Sequence, residues 1–365
     1  MEHYLQSEEC RKSRHESQLK DIRDRIRRLA GVVEPLFDLS DFGGIGCHVG
    51  REWRCVKCGA EFEDHLYSAN VPRCPKCFPR LGCGKRSDAE NDLFGFVKSI
   101  AADAVQGRRF GDRYELDVYV PSARLGIEFN GLYWHSEIFK GPRYHADKSE
   151  WFARERETFV VHVSEDEWAG KRRIVESVIR NRLGLSVRRV YARKCRFDSI
   201  SSADYRRFLD ENHVQGAVTS SNRFGLSHRG ELVAVIGFGK SRFKPGETEL
   251  HRYCVRAGHS VVGGFGKLLK RSGFRGVTYC DLRYFDGSGY RAVGFREVSR
   301  TEPGYRYWKR GSLETHSRFK FQKHRLADLV DFYDPNLSGP DIMNANGYYR
   351  VWDCGNVKMT YEGNL

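Results

Sequence analysis

Tyr114-Glu115-Leu116-Asp117-Val118-Tyr119-Val120, followed by Pro121-Ser122-Ala123-Arg124 and Leu125-Gly126-Ile127-Glu128-Phe129-Asn130, is the stretch that sets the fold class. The first seven residues alternate apolar and polar, as a half-buried strand does. The next four make a tight turn, and the last six read as a second strand, so the pair predicts a β-hairpin. Two carboxylates interrupt it: Asp117 stands between Leu116 and Val118, and Glu128 between Ile127 and Phe129. A carboxylate among apolar neighbours is costly unless a metal or another partner holds it. Across a hairpin the two can converge, and two hard oxygen ligands plus water suit Mg²⁺. Such an ion activates water and neutralises charge at a phosphodiester. The plainer alternative makes each acid a salt-bridged residue at a strand edge; the two acids together with the sequence that follows the hairpin favour the metal site.

Working outward, Ser87 to Ala104 reads as a helix. Ser87 is its N-cap, Glu90 falls three residues later, and Leu93, Phe96, Val97 and Ile100 share a face. Glu90 is thereby a third acid for the hairpin site. Downstream, a helix is expected from about Lys148 to Glu157, and Phe159-Val160-Val161-His162-Val163 has the apolar run of a central strand. A basic helix follows over 171–183, and from Lys171 to Lys194 there are nine Lys/Arg and one acid. His145 and His162 are expected to be structural.

Upstream, Cys55-x-x-Cys58 and Cys74-x-x-Cys77 are separated by 15 residues. Each turn aims two thiols at one point, and two turns complete a tetrahedron around Zn²⁺. Four cysteines leave no open coordination position, so this zinc is read as structural. Cys47, His48 and Cys83 are spare ligands or single buried residues. An odd total of 11 cysteines argues against a disulfide scaffold.

The 365-residue chain carries 62 Lys+Arg against 48 Asp+Glu, a net charge of +14, with pI ≈ 9.3. That excess favours a polyanionic partner. With 40% hydrophobic residues the chain can bury real cores. No apolar run approaches the ~20 residues of a membrane span, and the N-terminus lacks a signal-peptide core, so a soluble, cytoplasmic protein is expected.

After Asn130 comes Gly131-Leu132-Tyr133-Trp134-His135-Ser136-Glu137. A strand bearing Asp117, a second acid-bearing strand and this aromatic-Trp-His turn resemble the very-short-patch repair (Vsr) endonucleases, a branch of the PD-(D/E)XK nuclease superfamily that includes phage-type homing endonucleases. Asp117 and His135 match two motif positions 18 residues apart, and Phe159 to Trp168 is similar to the next strand. The resemblance covers about residues 87–185. It implies catalytic roles for Glu90, Asp117, Glu128, Asn130 and His135, with His135 as general acid/base or phosphate-orienting group. The superfamily's usual Lys is Asn130 here; Lys148, on the next helix, is a substitute. Glu128 is itself a departure from the Vsr pattern and follows the wider superfamily.

In the C-terminal half, Val261-Val262-Gly263-Gly264-Phe265-Gly266-Lys267-Leu268-Leu269 and Tyr290-Arg291-Ala292-Val293-Gly294-Phe295 resemble GNAT-type N-acetyltransferases, in which backbone N–H groups cradle a pyrophosphate. Arg318-Phe319-Lys320-Phe321-Gln322-Lys323-His324-Arg325 interleaves cations with aromatics on an expected helix, which suits DNA through Arg318, Lys320 and Lys323.

These readings assemble into an α/β (α+β) protein: a basic helical arm (1–49), a zinc-binding module (50–84), a PD-(D/E)XK/Vsr-like nuclease domain (85–196) and a GNAT-like, DNA-binding domain (197–365). The expected activity is Mg²⁺-dependent, site-specific cleavage of double-stranded DNA in a bacterial or phage-infected cell, with no membrane partner. One active site per chain implies nicking, or cutting of both strands by a homodimer on DNA. The alternatives are a GNAT-type N-acetyltransferase and a non-catalytic zinc protein that binds nucleic acid.

Overall fold

A computed structural model describes residues 23, 26, 29, 32–38, 50–66, 72, 74–77 and 87–363. Most of the expected basic arm, with Cys47, His48 and Cys83, lies outside the described residues. The chain divides into two compact units. One comprises Met1–Arg86, Tyr133–Gly141 and Tyr305–Val351; the other comprises Ser87–Leu132, Pro142–Gly304 and Trp352–Leu365.

The first unit begins with an antiparallel sheet of β1 (Val33–Pro35), β2 (Arg51–Cys55) and β3 (Glu61–Asp64). Its anchor is Trp53, fully buried, whose Nε1 donates to Asp64 O at 3.1 Å.

The second unit holds two sheets. Its first helix, α1 (Asp88–Ile100), starts where Ser87 Oγ accepts from Glu90 N at 3.1 Å, the expected cap. It ends at Ile100, four residues short of the sequence expectation. A four-stranded sheet follows in the order β4 (Val105–Phe110), β5 (Tyr114–Val120), β6 (Leu125–Asn130), β7 (Phe159–Ser164). β5 and β6 form the expected hairpin around a short 3₁₀ turn, whose closing residue Arg124 takes a left-handed φ of 46°. β7 runs parallel to β6, which requires a crossover, and α2 (Tyr144–Arg156) supplies it. Every residue of β6 is buried, because both faces are covered. On one face Ile127 and Phe129 pack with Leu93, Val97 and Trp168. On the other, Phe152 of α2 packs with Leu116 and Val160.

The helices here are longer than their apolar patterns. α2 begins at Tyr144 and not near Lys148, because its buried face carries His145 and Lys148. α3 (Glu165–Arg182) begins six residues before the expected start. The non-helical backbone of Lys171, φ −133°, falls where the basic pattern sets in.

Next come β8 (Arg188–Tyr191), β9 (Arg196–Ser199), α4 (Ser202–Asn212), β10 (Asn222–His228), β11 (Glu231–Lys240), β12 (Thr248–Val255), β13 (His259–Val262), α5 (Gly264–Ser272), β14 (Gly276–Asp281), α6 (Ser288–Arg291) and β15 (Arg296–Arg300). With β19 (Asn356–Tyr361) they build a seven-stranded sheet in the order β15-β19-β14-β12-β11-β10-β9. β8 pairs with β13 outside it. β12 and β14 are parallel but pair only through Glu249–Leu250 and Val277–Thr278. α4 covers one face through Tyr205, Phe208 and Leu209; α5 covers the other through Leu268 and Leu269.

The two sheets of this unit meet at Arg283, just past β14. Its Nη1 donates to both oxygens of Glu167 at 2.9 and 3.1 Å, and its Nη2 to Asp281 at 3.0 Å. Tyr284 OH donates to Glu167 at 2.7 Å, and His162 N of β7 donates to Arg283 O at 2.9 Å.

The remainder of the first unit is a sheet of β17 (Thr315–Ser317), β16 (Tyr305–Lys309) and β18 (Tyr348–Trp352), closed by α7 (Gly339–Ala345). The single helix expected over 318–325 is instead two 3₁₀ helices, Arg318–Phe321 and Lys323–Asp328, separated by extended Gln322. The reason is packing: Phe321 and Leu326 are five residues apart and both enter one small core with Tyr307, Ile342 and Met343.

Removing one member of a buried ion pair strands the other and costs about 3–5 kcal/mol. Arg283→Met should therefore lower the unfolding free energy of the second unit by about that amount, measured by denaturant titration of the full chain. A loss under about 1 kcal/mol would contradict the role given to Arg283.

Candidate functional site

The hairpin acids sit where β5 and β6 part. Ladder pairing runs from Val118↔Ile127 to Val120↔Leu125 and stops before Asp117 and Glu128. In its place the side chains take the backbone donors. Asp117 Oδ2 accepts from Phe129 N at 2.7 Å, and Glu128 Oε1 accepts from Asp117 N at 3.4 Å. β5 also changes its packing here: Leu116 joins the α2 side, while Val118 joins the opposite core. Carboxylate-to-backbone bonds thus replace strand-to-strand bonds, and the acids are fixed by the separation they maintain.

Lys148 of α2 closes the group. Its Nζ donates to Glu128 Oε2 at 2.5 Å, with side chains only 5% and 3% exposed. Burial pushes the Glu128 carboxyl above its ordinary range against the pull of Lys148, and Glu90 adds to the rise. Burial works against the Lys148 charge too, but Glu128, Tyr144 and Asp117 hold the ammonium above its usual value. The structure therefore gathers Asp117, Glu128 and Lys148, with Glu90 acting on Glu128 through space. Both Glu128 oxygens already accept from protein donors, Asp117 N and Lys148 Nζ, and among the described residues the group that could hold a metal ion is the four cysteines.

Behind them lies a polar layer of Asn130, read from sequence as catalytic, His162, read as structural, and Ser149, which sequence reasoning passed over. Asn130, the next residue on the Glu128 face of β6, approaches His162 Nδ1 with its Nδ2 at 3.3 Å, and His162 Nε2 meets Ser149 Oγ at 2.7 Å. Asn130 Oδ1 is buried without a partner. Burial, then the charges of His145, Lys148 and Arg283, holds His162 far below its ordinary pKa, so the ring is neutral. The parallel register Glu128↔His162 puts both on one face, and only that register would have revealed the pair from sequence.

His135 is a residue of the first unit, not of the second that holds the acids. Its turn is tied down by Glu137, whose carboxylate accepts from Arg350 Nε at 2.6 Å and Arg350 N at 2.8 Å, while Glu137 N donates to Arg350 O. Tyr133, Trp134 and Phe139 form an aromatic cluster beside it. Arg318, Lys320 and Lys323 are exposed in the same unit. Arg318 lies over the Phe319 ring at 5.1 Å, and that ring is 56% exposed. Lys323 donates to Pro335 O at 3.2 Å.

The four knuckle cysteines form the other cluster. One ligand atom from each of Cys55, Cys58, Cys74 and Cys77 lies within 4.8 Å of the rest, a group that could hold a metal ion. Tetrahedral Zn–S bonds of about 2.3 Å set sulfurs about 3.8 Å apart; Cys58 and Cys74 are 3.6 Å apart. Turn geometry explains the gathering: Gly59, in the left-handed region at φ 70°, lets its N–H return to Cys55 O at 2.8 Å. The Ala60 N–H brings the Cys58 thiol down to about 7, Cys58 pushes Cys77 up to about 12, and burial raises Cys74. One thiolate resists its neighbours' ionisation, which a bound cation would relieve.

The Gly-rich turn enters α5 through Gly263, at φ 73°. A Cβ on Gly264 would meet Val261 Cγ1 at 2.7 Å, so that glycine serves packing, whereas one on Gly266 would meet nothing nearer than 3.9 Å.

No family model matches the chain, and no curated protein matches it. Among solved structures it is similar to a GNAT family acetyltransferase from Elizabethkingia anophelis with acetyl-CoA bound, at 14% identity and a TM-score of 0.25, over 47% of this chain and 99% of that one. It is also similar to a Bacillus subtilis acetyltransferase in complex with CoA, at 12% identity and a TM-score of 0.25, over 47% of this chain and 100% of that one. The likeness is weak and partial. No helix among the described residues is long and apolar enough to cross a membrane.

The cysteine cluster makes a direct prediction. Full-length protein should carry about one tightly held zinc per chain by elemental analysis, and Cys74→Ser should release it and loosen residues 50–77. Metal-free protein with four freely titrating thiols would be the contrary result.

Proposed function

We propose that the chain is a metal-dependent endonuclease acting on double-stranded DNA, with a structural zinc at Cys55, Cys58, Cys74 and Cys77. The observation that carries this is the buried Lys148–Glu128 pair at 2.5 Å, with Asp117 across the parting strands. A salt bridge this buried stabilises little by itself, because desolvation offsets attraction. Its placement among further acids suits charge work on a phosphodiester.

Asp117 and Glu128 would hold Mg²⁺, with Glu90 as an outer acid. The bound ion would supply an activated water and neutralise the phosphate. Lys148 orients Glu128 through their hydrogen bond and, staying cationic, favours the charge that develops on an attacked phosphate. It takes the place that Asn130 leaves without a cation. Arg318, Lys320 and Lys323 supply phosphate contacts from the first unit, and the excess of +14 fits a polyanionic substrate.

A second reading, N-acetyl transfer, draws on the departing strands β12 and β14 and on the open side of Gly266. It is ranked below the nuclease because Gly264 is explained by contact with Val261.

Supercoiled plasmid should be nicked or linearised with Mg²⁺ and left intact with EDTA. Asp117→Asn keeps an oxygen for Phe129 N while removing the charge, and should slow cleavage at least about 100-fold with DNA affinity retained. Equal cleavage by wild type and Asp117→Asn would sink the reading. Replacing Arg318, Lys320 and Lys323 together should lower the salt slope of log K by about 0.9 per lost phosphate contact, read from DNA affinities at several salt concentrations. An unchanged slope would remove these residues from the interface.

A further inference from the structure

The seven-stranded sheet carries a second concentration of unbalanced charge, unrelated to the hairpin acids. Arg223 of β10, Gly237 of β11 and Arg252 of β12 are directly paired across three adjacent strands. Directly paired residues of an antiparallel sheet point to the same face, so the two arginines flank a glycine on the face that α4 covers. The glycine is required: a Cβ there would lie 2.0 Å from Tyr205 Oη. The phenol occupies the gap between the two cations, and its Oη is 3.3 Å from Ser220 Oγ. A register shift at Gly237/Phe238 leaves His251 unpaired beside Arg252, and its Nδ1 meets Ser220 Oγ at 2.9 Å.

Among the described residues neither arginine has a carboxylate partner. Arg223 donates through Nη1 to the carbonyls of Ser220 and Ser221, and Arg252 through Nη1 to that of His251. Both Nε atoms are buried without a hydrogen-bond partner. The acid that acts on Arg252 through space is Asp281, which Arg283 and Gln215 already engage. Glu249, also near His251, is taken by Arg242, Ser241 and the Arg242 N–H. Burial holds the Arg252 guanidinium below its ordinary value. Arginine stays charged in proteins even so, and two such charges without counterions are costly. The face is open at its rim, where Ser221 is exposed and both arginines are partly exposed.

We infer that this face binds a phosphate group at its open rim, held by Arg223 and Arg252 on either side of the Tyr205 phenol. A planar carboxylate is satisfied by the fork of one guanidinium. Two guanidiniums on either side of a hydroxyl present donors from several directions, which suits a tetrahedral oxyanion. The group belongs either to a nucleic-acid backbone or to a small phosphate ester; the recognition chemistry is common to both.

The test uses full-length protein in phosphate-free buffer and inorganic phosphate as the probe, by titration calorimetry and thermal melting. Wild type should bind saturably and melt higher with phosphate. Arg223→Met and Arg252→Met should each weaken binding about thirtyfold or more, as loss of a buried charged partner does; Lys244→Met, an exposed cation on a nearby loop, should not. Arg252→Met should also melt no lower than wild type without phosphate, since it removes an uncompensated charge, and that result separates a ligand-binding arginine from a structural one. Duplex DNA affinity that falls with Arg252→Met assigns the phosphate to nucleic acid. Unchanged duplex affinity, with adenosine monophosphate displacing phosphate, assigns it to a small ester. No saturable phosphate binding by wild type, or binding that survives both substitutions, overturns the inference.

Discussion

The guanidinium of Arg283 is the constraint on which the second unit turns. It is almost wholly buried and bonded to Glu167 and Asp281, so it leaves three charges in a dry place with two negative and one positive. Tyr284 adds a hydroxyl to Glu167, and the backbone oxygen of Arg283 takes the outward N–H of His162 on edge strand β7. A sheet edge needs covering, and here part of the four-stranded sheet's edge is satisfied by the loop after β14 of the other sheet. The bond does more than fasten two layers. Glu167 is also an N-terminal residue of α3, where its carboxylate meets the Ser164 N–H at 3.4 Å. The same acid thus fixes where β7 stops, where α3 starts and how the next sheet docks.

That rigidity matters for the acids of the hairpin. Asp117 and Glu128 hold β5 and β6 apart by taking backbone donors that the ladder would otherwise use. Left to itself such a gap would close, because paired backbone is cheaper than carboxylates held in an apolar wall. α2 prevents closure from one side by placing Lys148 against Glu128 and Phe152 against Leu116. The polar layer of Asn130, His162 and Ser149 fixes α2 to the sheet. Its histidine is neutral, so it orients its neighbours by hydrogen bonds and adds no charge to the site. Lys148 is then, among the described residues, the cation in direct contact with Glu128.

Much of this was legible in the sequence, and the misses share a cause. Alternation found the hairpin, an apolar run found β7, and the Ser87–Glu90 spacing found the start of α1. Spacing also found the four thiols. What periodicity could not show was a helix whose inward face is polar. α2 buries His145 and Lys148, so it looked shorter than it is, and its lysine read as a substitute rather than as a fixed partner of Glu128. Long-range pairs were equally hidden: Arg283 reaches Glu167 across 116 residues, and nothing local marks either. The aromatic-cation run at 318–325 misled for the opposite reason. Its spacing suited a helix, but Phe321 and Leu326 each had to enter the same small core, and two 3₁₀ turns with a break at Gln322 satisfy both. The turn around His135 adds a further lesson, since adjacency to β6 in the chain did not keep it in the same compact unit.

Three places in this protein concentrate charge of one sign, or groups that would ionise to it: the four thiols, the acids around Lys148, and the arginine pair astride Tyr205. In each, packing has been spent on holding like groups together. Gly59 folds a thiol turn, the parted strands seat two carboxylates, and Gly237 admits a phenol between two guanidiniums. None of these arrangements is the cheapest way to bury the same apolar area, since neutral side chains of similar volume would pack there without self-repulsion. Cores pay such costs where an ion or a charged ligand supplies the missing counter-charge, because binding then returns what folding gave up. The signs differ from place to place, negative at the thiols and acids and positive at the arginines.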